Sequence, residues 1–141
     1  MDMKPLLACT SASVFLLFAD FAAAQVSFSL DKASYGSSED VVADWTDGPG
    51  NAADWIGIYP RGVTPSSGSS AWLYVNGTTS ATVGTEEGSV TFAPASLPGP
   101  GSWTAWYLLN DGYTPATEGV NFDIVITGDQ LTFSLDKASY E

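Results

Sequence analysis

The stretch Phe28-Ser-Leu-Asp-Lys-Ala-Ser-Tyr35 returns unchanged as Phe133-Ser-Leu-Asp-Lys-Ala-Ser-Tyr140, shifted by 105 positions (133 − 28). The flanks agree in kind, with Val26-Ser27 against Leu131-Thr132. Eight identities in register are an internal duplication. A spacing near one hundred residues matches one β-sandwich domain rather than a small solenoid repeat. The chain is therefore expected to hold one module over 25–127, a linker over 128–130, and over 131–141 the opening strand of a second. That strand either begins a further repeat or is donated to a neighbouring subunit.

Ahead of the module, Leu6 to Ala19 is apolar and Ala22-Ala23-Ala24 supplies small residues for cleavage, with Lys4 in front. This is the pattern of a secretory signal peptide over 1–24. The run falls short of the roughly 20 apolar residues that span a bilayer, so no membrane insertion is expected after cleavage. A lipoprotein signal is the rival, but Cys9 stands at the start of the apolar run instead of after it. Cleavage removes Cys9, the only cysteine, and the chain has no histidine.

Sixteen Asp and Glu stand against four Lys and Arg, a net charge of −12. Such a balance repels phosphate backbones and anionic lipids, which excludes a nucleic-acid partner. Gly, Ser, Thr and Pro punctuate the chain every eight to twelve residues, with β-branched and aromatic residues between. That rhythm predicts an all-β, immunoglobulin-like antiparallel sandwich of about seven strands. The segments are Val26–Leu30, Asp40–Trp45, Asp54–Tyr59, Ala71–Val75, Gly88–Ala93, Ser102–Leu109 and Val120–Ile126. Val26, Phe28 and Leu30 share one face, as do Val41, Ala43 and Trp45, and Phe122, Ile124 and Ile126.

Asp54-Trp-Ile-Gly-Ile-Tyr59 and Pro98-Gly-Pro-Gly-Ser-Trp-Thr-Ala-Trp-Tyr-Leu-Leu-Asn-Asp-Gly-Tyr113 carry a family likeness. Together they resemble immunoglobulin-like domains of the SKICH type and the sandwich modules appended to secreted phosphoesterases such as purple acid phosphatases. The resemblance runs in order from about Val26 to Ile126. It implies a non-catalytic attachment, spacer or interaction domain. Trp55, Ile56, Ile58 and Tyr59 are expected to supply bulk to both faces of a central strand, with Gly57 allowing a close approach, and such sandwiches also use a Trp on the third strand as core filler.

Without His, and with its one Cys removed, the mature chain cannot build serine–histidine or cysteine–histidine catalysis or the usual zinc sites. Glu86 and Glu87 sit together in a turn, and no enzyme is expected. No cofactor is required, although calcium is conceivable: Asp44, Asp47 and Asp54 bracket the loop Thr46–Asn51, with Asp111 in a later loop. Carboxylates and loop carbonyls suit a hard cation. The plainer account is that Asp and Asn favour turns for their own hydrogen bonds.

Five Trp and six Tyr are many for this length. Trp45, Trp55 and Trp103 are assigned to packing, while Trp72, Tyr74, Trp106 and Tyr113 are candidates for stacking on extracellular polysaccharide. Asn76-Gly-Thr78 is a glycosylation sequon expected in an exposed turn. The candidate assembly residues are Val26, Phe28 and Leu30 with their counterparts Leu131, Phe133 and Leu135. A strand addition through them would join copies head to tail, and such contacts give extracellular filaments. A tandem array is the simpler account. The expected function is thus a secreted structural or interaction module, with a carbohydrate-binding accessory domain or a phosphoesterase appendage as alternatives.

Overall fold

The computed structural model describes residues 25–128; the expected signal peptide and the second copy, with Leu131, Phe133 and Leu135, lie outside the described residues. Among the described residues nine strands form in chain order: β1 Ser27–Leu30, β2 Ser34–Gly36, β3 Val41–Thr46, β4 Trp55–Pro60, β5 Ala71–Tyr74, β6 Gly88–Phe92, β7 Gly101–Leu109, β8 Thr114–Pro115 and β9 Val120–Val125. All seven expected segments return, each within one residue at either end. The two additions, β2 and β8, are three and two residues long. Neither is long enough to show a period, and Pro115 lies in the second.

One sheet has the order β1-β3-β6 and the other β2-β9-β7-β4-β5, with β8 pairing to β7. Two such sheets packed face to face make a β-sandwich. The pairing departs from the wholly antiparallel expectation at one place, because β2 runs parallel to β9 with Gly36 opposite Val125. The first strand of the module thus switches sheets after Leu30: β1 pairs with β3, and β2 then joins the other edge. No helix long and apolar enough to cross a membrane occurs among the described residues.

Alternation explains the core. Val41, Ala43 and Trp45 of β3 and Val90 and Phe92 of β6 face Ile56, Ile58, Ala105, Tyr107, Phe122 and Ile124 of the larger sheet. Each fully buried large side chain of this kind contributes about 1.5–3 kcal/mol of transfer free energy. Tyr107 sits at the centre, edge-on to Phe28 at 6.1 Å and to Trp45 at 5.9 Å between ring centroids. The expected inward face of Phe122 and Ile124 holds, but Ile126 follows the end of β9 and is exposed.

Trp55 requires a correction. The tryptophan between the sheets is Trp45 on β3, while Trp55 turns to the opposite face of β4 from Ile56 and Ile58. There it packs with Tyr59 and Leu108, flanked by Tyr74 and Trp106. Gly57 lies between Trp55 and Tyr59 in the strand and is opposite Trp72 and Trp106 in the two neighbouring strands. A Cβ on Gly57 would come within 2.7 Å of the Trp55 ring and 2.9 Å of the Tyr59 ring. The close approach expected at this glycine is the closure of two rings over bare backbone.

Buried phenols give the fold a pH limit. Burial pushes the Tyr35 hydroxyl well above its usual range, and its bond to Asp31 adds to the effect. Burial acts likewise on Tyr107, reinforced by the Asp54 carboxylate beside it. Tyr59 is pushed up by burial to about 12. The folded state therefore favours the neutral phenols. Their contribution is complete below the unfolded value near pH 10 and is lost as pH rises through the folded values. Urea midpoints are expected to hold from pH 8 to about 10 and to fall steadily above it. A midpoint unchanged at pH 11.5 would contradict the burial of these hydroxyls.

Candidate functional site

The outer face of the larger sheet carries an open cleft of about 260 Å³, lined by Trp55, Gly68, Ser69, Trp72, Tyr74, Asp111 and Tyr113. Four segments build it, the loop before β5 bringing Gly68 and Ser69. β4 provides Trp55, the edge strand β5 provides Trp72 and Tyr74, and the turn between β7 and β8 provides Asp111 and leads to Tyr113.

That turn is fixed by its backbone. Asn110 and Asp111 both take positive φ, 50° and 59°, and the Gly112 amide donates to the Leu109 carbonyl at 2.9 Å. Two successive left-handed residues make the tight hairpin turn that suits the twist of the strands it joins, and Asn and Asp adopt that conformation more readily than most residues.

Asp54 holds the turn against the sheet. Its carboxylate is fully buried and accepts from the Tyr107 hydroxyl at 3.2 Å, the Asn110 amide at 3.0 Å and the Asn51 side-chain amide at 3.4 Å. Beside it the Asp111 amide donates to the Ala53 carbonyl at 2.8 Å, and the Trp55 indole donates to the Gly112 carbonyl at 3.0 Å. A buried carboxylate needs such donors, since an uncompensated one costs several kcal/mol (roughly 1–3 or more per unpaired polar group). Asp54 is therefore a structural anchor for the cleft.

The four aspartates that made calcium conceivable do not form one ligand set. Asp44 lies on β3 opposite Ser29 and Ser89, in the smaller sheet. Asp47 occupies a left-handed turn position after β3. Asp54 is buried, and Asp111 belongs to the cleft. Among the described residues no three His, Cys, Asp or Glu side chains group so as to hold a metal ion. The loop carboxylates were visible in the sequence, but their convergence depends on register and does not occur.

The candidate aromatic contacts divide. Trp72, Tyr74 and Tyr113 meet in the cleft, and Trp55 joins them although it was assigned to the core. Trp72 and Tyr113 remain 38 % and 41 % exposed. Trp106 stands on the far side of β4 and lines a separate groove of about 420 Å³ with Arg61, Thr104, Glu118 and Asn121. Within the cleft each ring is nearly perpendicular to the next: Tyr113 to Trp55 at 80°, Trp55 to Trp72 at 84° and Trp72 to Tyr74 at 86°. These rings form walls, whereas stacking along a sugar chain calls for an open flat platform. The Tyr74 hydroxyl donates to Asp111, and this bond, ahead of burial, raises the phenol above its ordinary range.

Asn76 follows β5 and is half-buried rather than open. Its side-chain amide donates to the Ser80 carbonyl and to the Thr82 hydroxyl, each at 2.7 Å, so both hydrogens of the sequon nitrogen are engaged. A glycan at this nitrogen would have to replace one of those bonds. No family model matches the sequence, and no curated protein does so either.

Proposed function

We propose that the chain is a secreted, non-catalytic interaction module, joined to further modules through its first strand. Segment 131–140 supplies that strand to a second sandwich, either the next repeat of the same polypeptide or the module of a neighbouring molecule. The observation that carries this reading is what the copied residues do in the first module. Residues 28–35 include the inward-facing Phe28 and Leu30 of β1 and the buried Tyr35 of β2. They also include Asp31, whose carboxylate accepts from the Tyr35 hydroxyl at 2.6 Å, and Lys32, whose amide donates to that hydroxyl at 3.1 Å. The duplication repeats in sequence the residues that switch sheets and bond to one another in the first module. The likeness to modules appended to secreted enzymes supports the same attachment or spacer role, and the signal-like segment supports secretion.

Topology supports donation outward. β2 and β9 run parallel and finish together, with Gly36 opposite Val125. A first strand must begin at the opposite end of the sandwich, roughly 30 Å away for ten extended residues. Only five residues lie between Val125 and Leu131, six steps with a reach of about 20 Å. The copy is thus too short-tethered to enter its own module. β1 is an edge strand with one paired neighbour, the kind of position that strand exchange uses.

Light scattering on Gln25–Glu141 and Gln25–Thr127 tests the assembly branch. In mild denaturant, which loosens β1, the longer chain is expected to associate with rising concentration while the shorter stays monomeric. Monomers of both at every concentration would remove donation between molecules and leave the tandem repeat.

A further inference from the structure

We propose that the cleft between β5 and the β7–β8 turn binds an organic cation of the methylated-ammonium type, with Asp111 as its counter-ion. This goes beyond the strand-exchange role and rests on different residues.

Four aromatic rings line the cleft in a chain of edge-to-face contacts, Tyr113, Trp55, Trp72 and Tyr74. Successive centroids are 5.9, 6.4 and 5.3 Å apart, and successive planes lie within ten degrees of perpendicular. A cation is attracted to a ring face within about 6 Å of the centroid, so rings at this spacing can act on one charge together. Rings packed edge to face along the cleft offer a compact ammonium more than one aromatic contact, while a flat sugar calls for a single open ring face. The single charged side chain in the lining is the Asp111 carboxylate, and no Lys or Arg contributes. A chain of net charge −12 attracts cations over longer range as well.

The arrangement is also preorganised. The Trp55 indole is tied to Gly112, Tyr74 is tied to Asp111, and the turn bearing Asp111 is pinned by Asp54 and Ala53. Bound rings need little reordering when a ligand arrives, which removes part of the entropic cost of binding. Partial exposure of Trp72 and Tyr113 leaves two of the walls open to solvent.

The test is tryptophan fluorescence and calorimetry on the full chain, titrated with choline, with its uncharged isostere 3,3-dimethylbutanol, and with a soluble cello-oligosaccharide. Choline is expected to perturb the fluorescence, to bind at least about tenfold more tightly than the isostere, and to weaken with added salt. Trp72→Ala is expected to abolish the response. Asp111→Asn, which keeps a residue suited to the left-handed turn, is expected to weaken binding several-fold. Near-UV circular dichroism of both variants checks that the fold persists. Equal binding of choline and its isostere, binding of the oligosaccharide alone, or no binding by any of the three would each overturn the proposal.

Discussion

Asp54→Ala is expected to lower the unfolding free energy by roughly 3–5 kcal/mol, the largest loss for any polar residue of the module. The substitution strands three donors, the Tyr107 hydroxyl, the Asn110 amide and the Asn51 side chain, in a place where water does not replace the carboxylate. Domains of this size are stable by about 5–15 kcal/mol, so the variant approaches the limit of folding. It also frees the turn that carries Asp111 and Tyr113. Urea denaturation followed by tryptophan fluorescence measures the loss. A change below about 1 kcal/mol would mean that Asp54 does not anchor the turn.

Tyr35→Ala is expected to cost a similar amount, about 3–5 kcal/mol, for a different reason. The ring is 1 % exposed and meets Phe122 edge-on at 5.7 Å, so truncation leaves a cavity between β2 and β9. Tyr35→Phe keeps the ring and gives up the bond to Asp31, a loss of about 1 kcal/mol. The copied residue provides an internal control. Tyr140→Ala removes the same side chain from the same local sequence, yet in a chain whose own slot is filled it should change stability by less than about 0.5 kcal/mol. Equal losses at both positions would contradict the assignment of distinct slots to the two copies.

These two residues also mark what was legible in the sequence and what was not. The seven long strands could be read because each is a run of β-branched and aromatic residues bounded by turn residues, with a period of two visible in several of them. β2 was missed because Ser34–Gly36 is too short to show a period, although it carries Tyr35. Trp55 was placed in the core on a family likeness, yet its own strand held the contrary signal. Trp55, Gly57 and Tyr59 alternate with Ile56 and Ile58, which assigns the two aromatics to the face away from the aliphatics.

The cleft was harder to foresee. It joins residue 55 to residues 72–74 and 111–113, and only the pairing of Trp55 with Tyr74 on one side and Leu108 on the other brings them together. Composition flagged Trp72, Tyr74 and Tyr113 as surplus aromatics but equally flagged Trp106. That side chain shares the sheet face and is separated from the cleft by the rings packed over Gly57. For the aspartates, loop position was readable and depth was not, so a buried anchor and a supposed metal ligand looked alike.

Emptying the first-strand slot tests the central claim most directly. A chain starting at Gly36 and ending at Glu141 lacks β1 and β2 but keeps the copy, while Gly36–Thr127 lacks both. Near-UV circular dichroism with light scattering should show the longer chain folded, as complexes larger than a monomer in which one molecule's copy fills another's slot. The shorter chain should lack the aromatic signal and regain it when a peptide of residues 131–141 is added. Two equally unfolded chains, with no recovery on adding the peptide, would contradict the account.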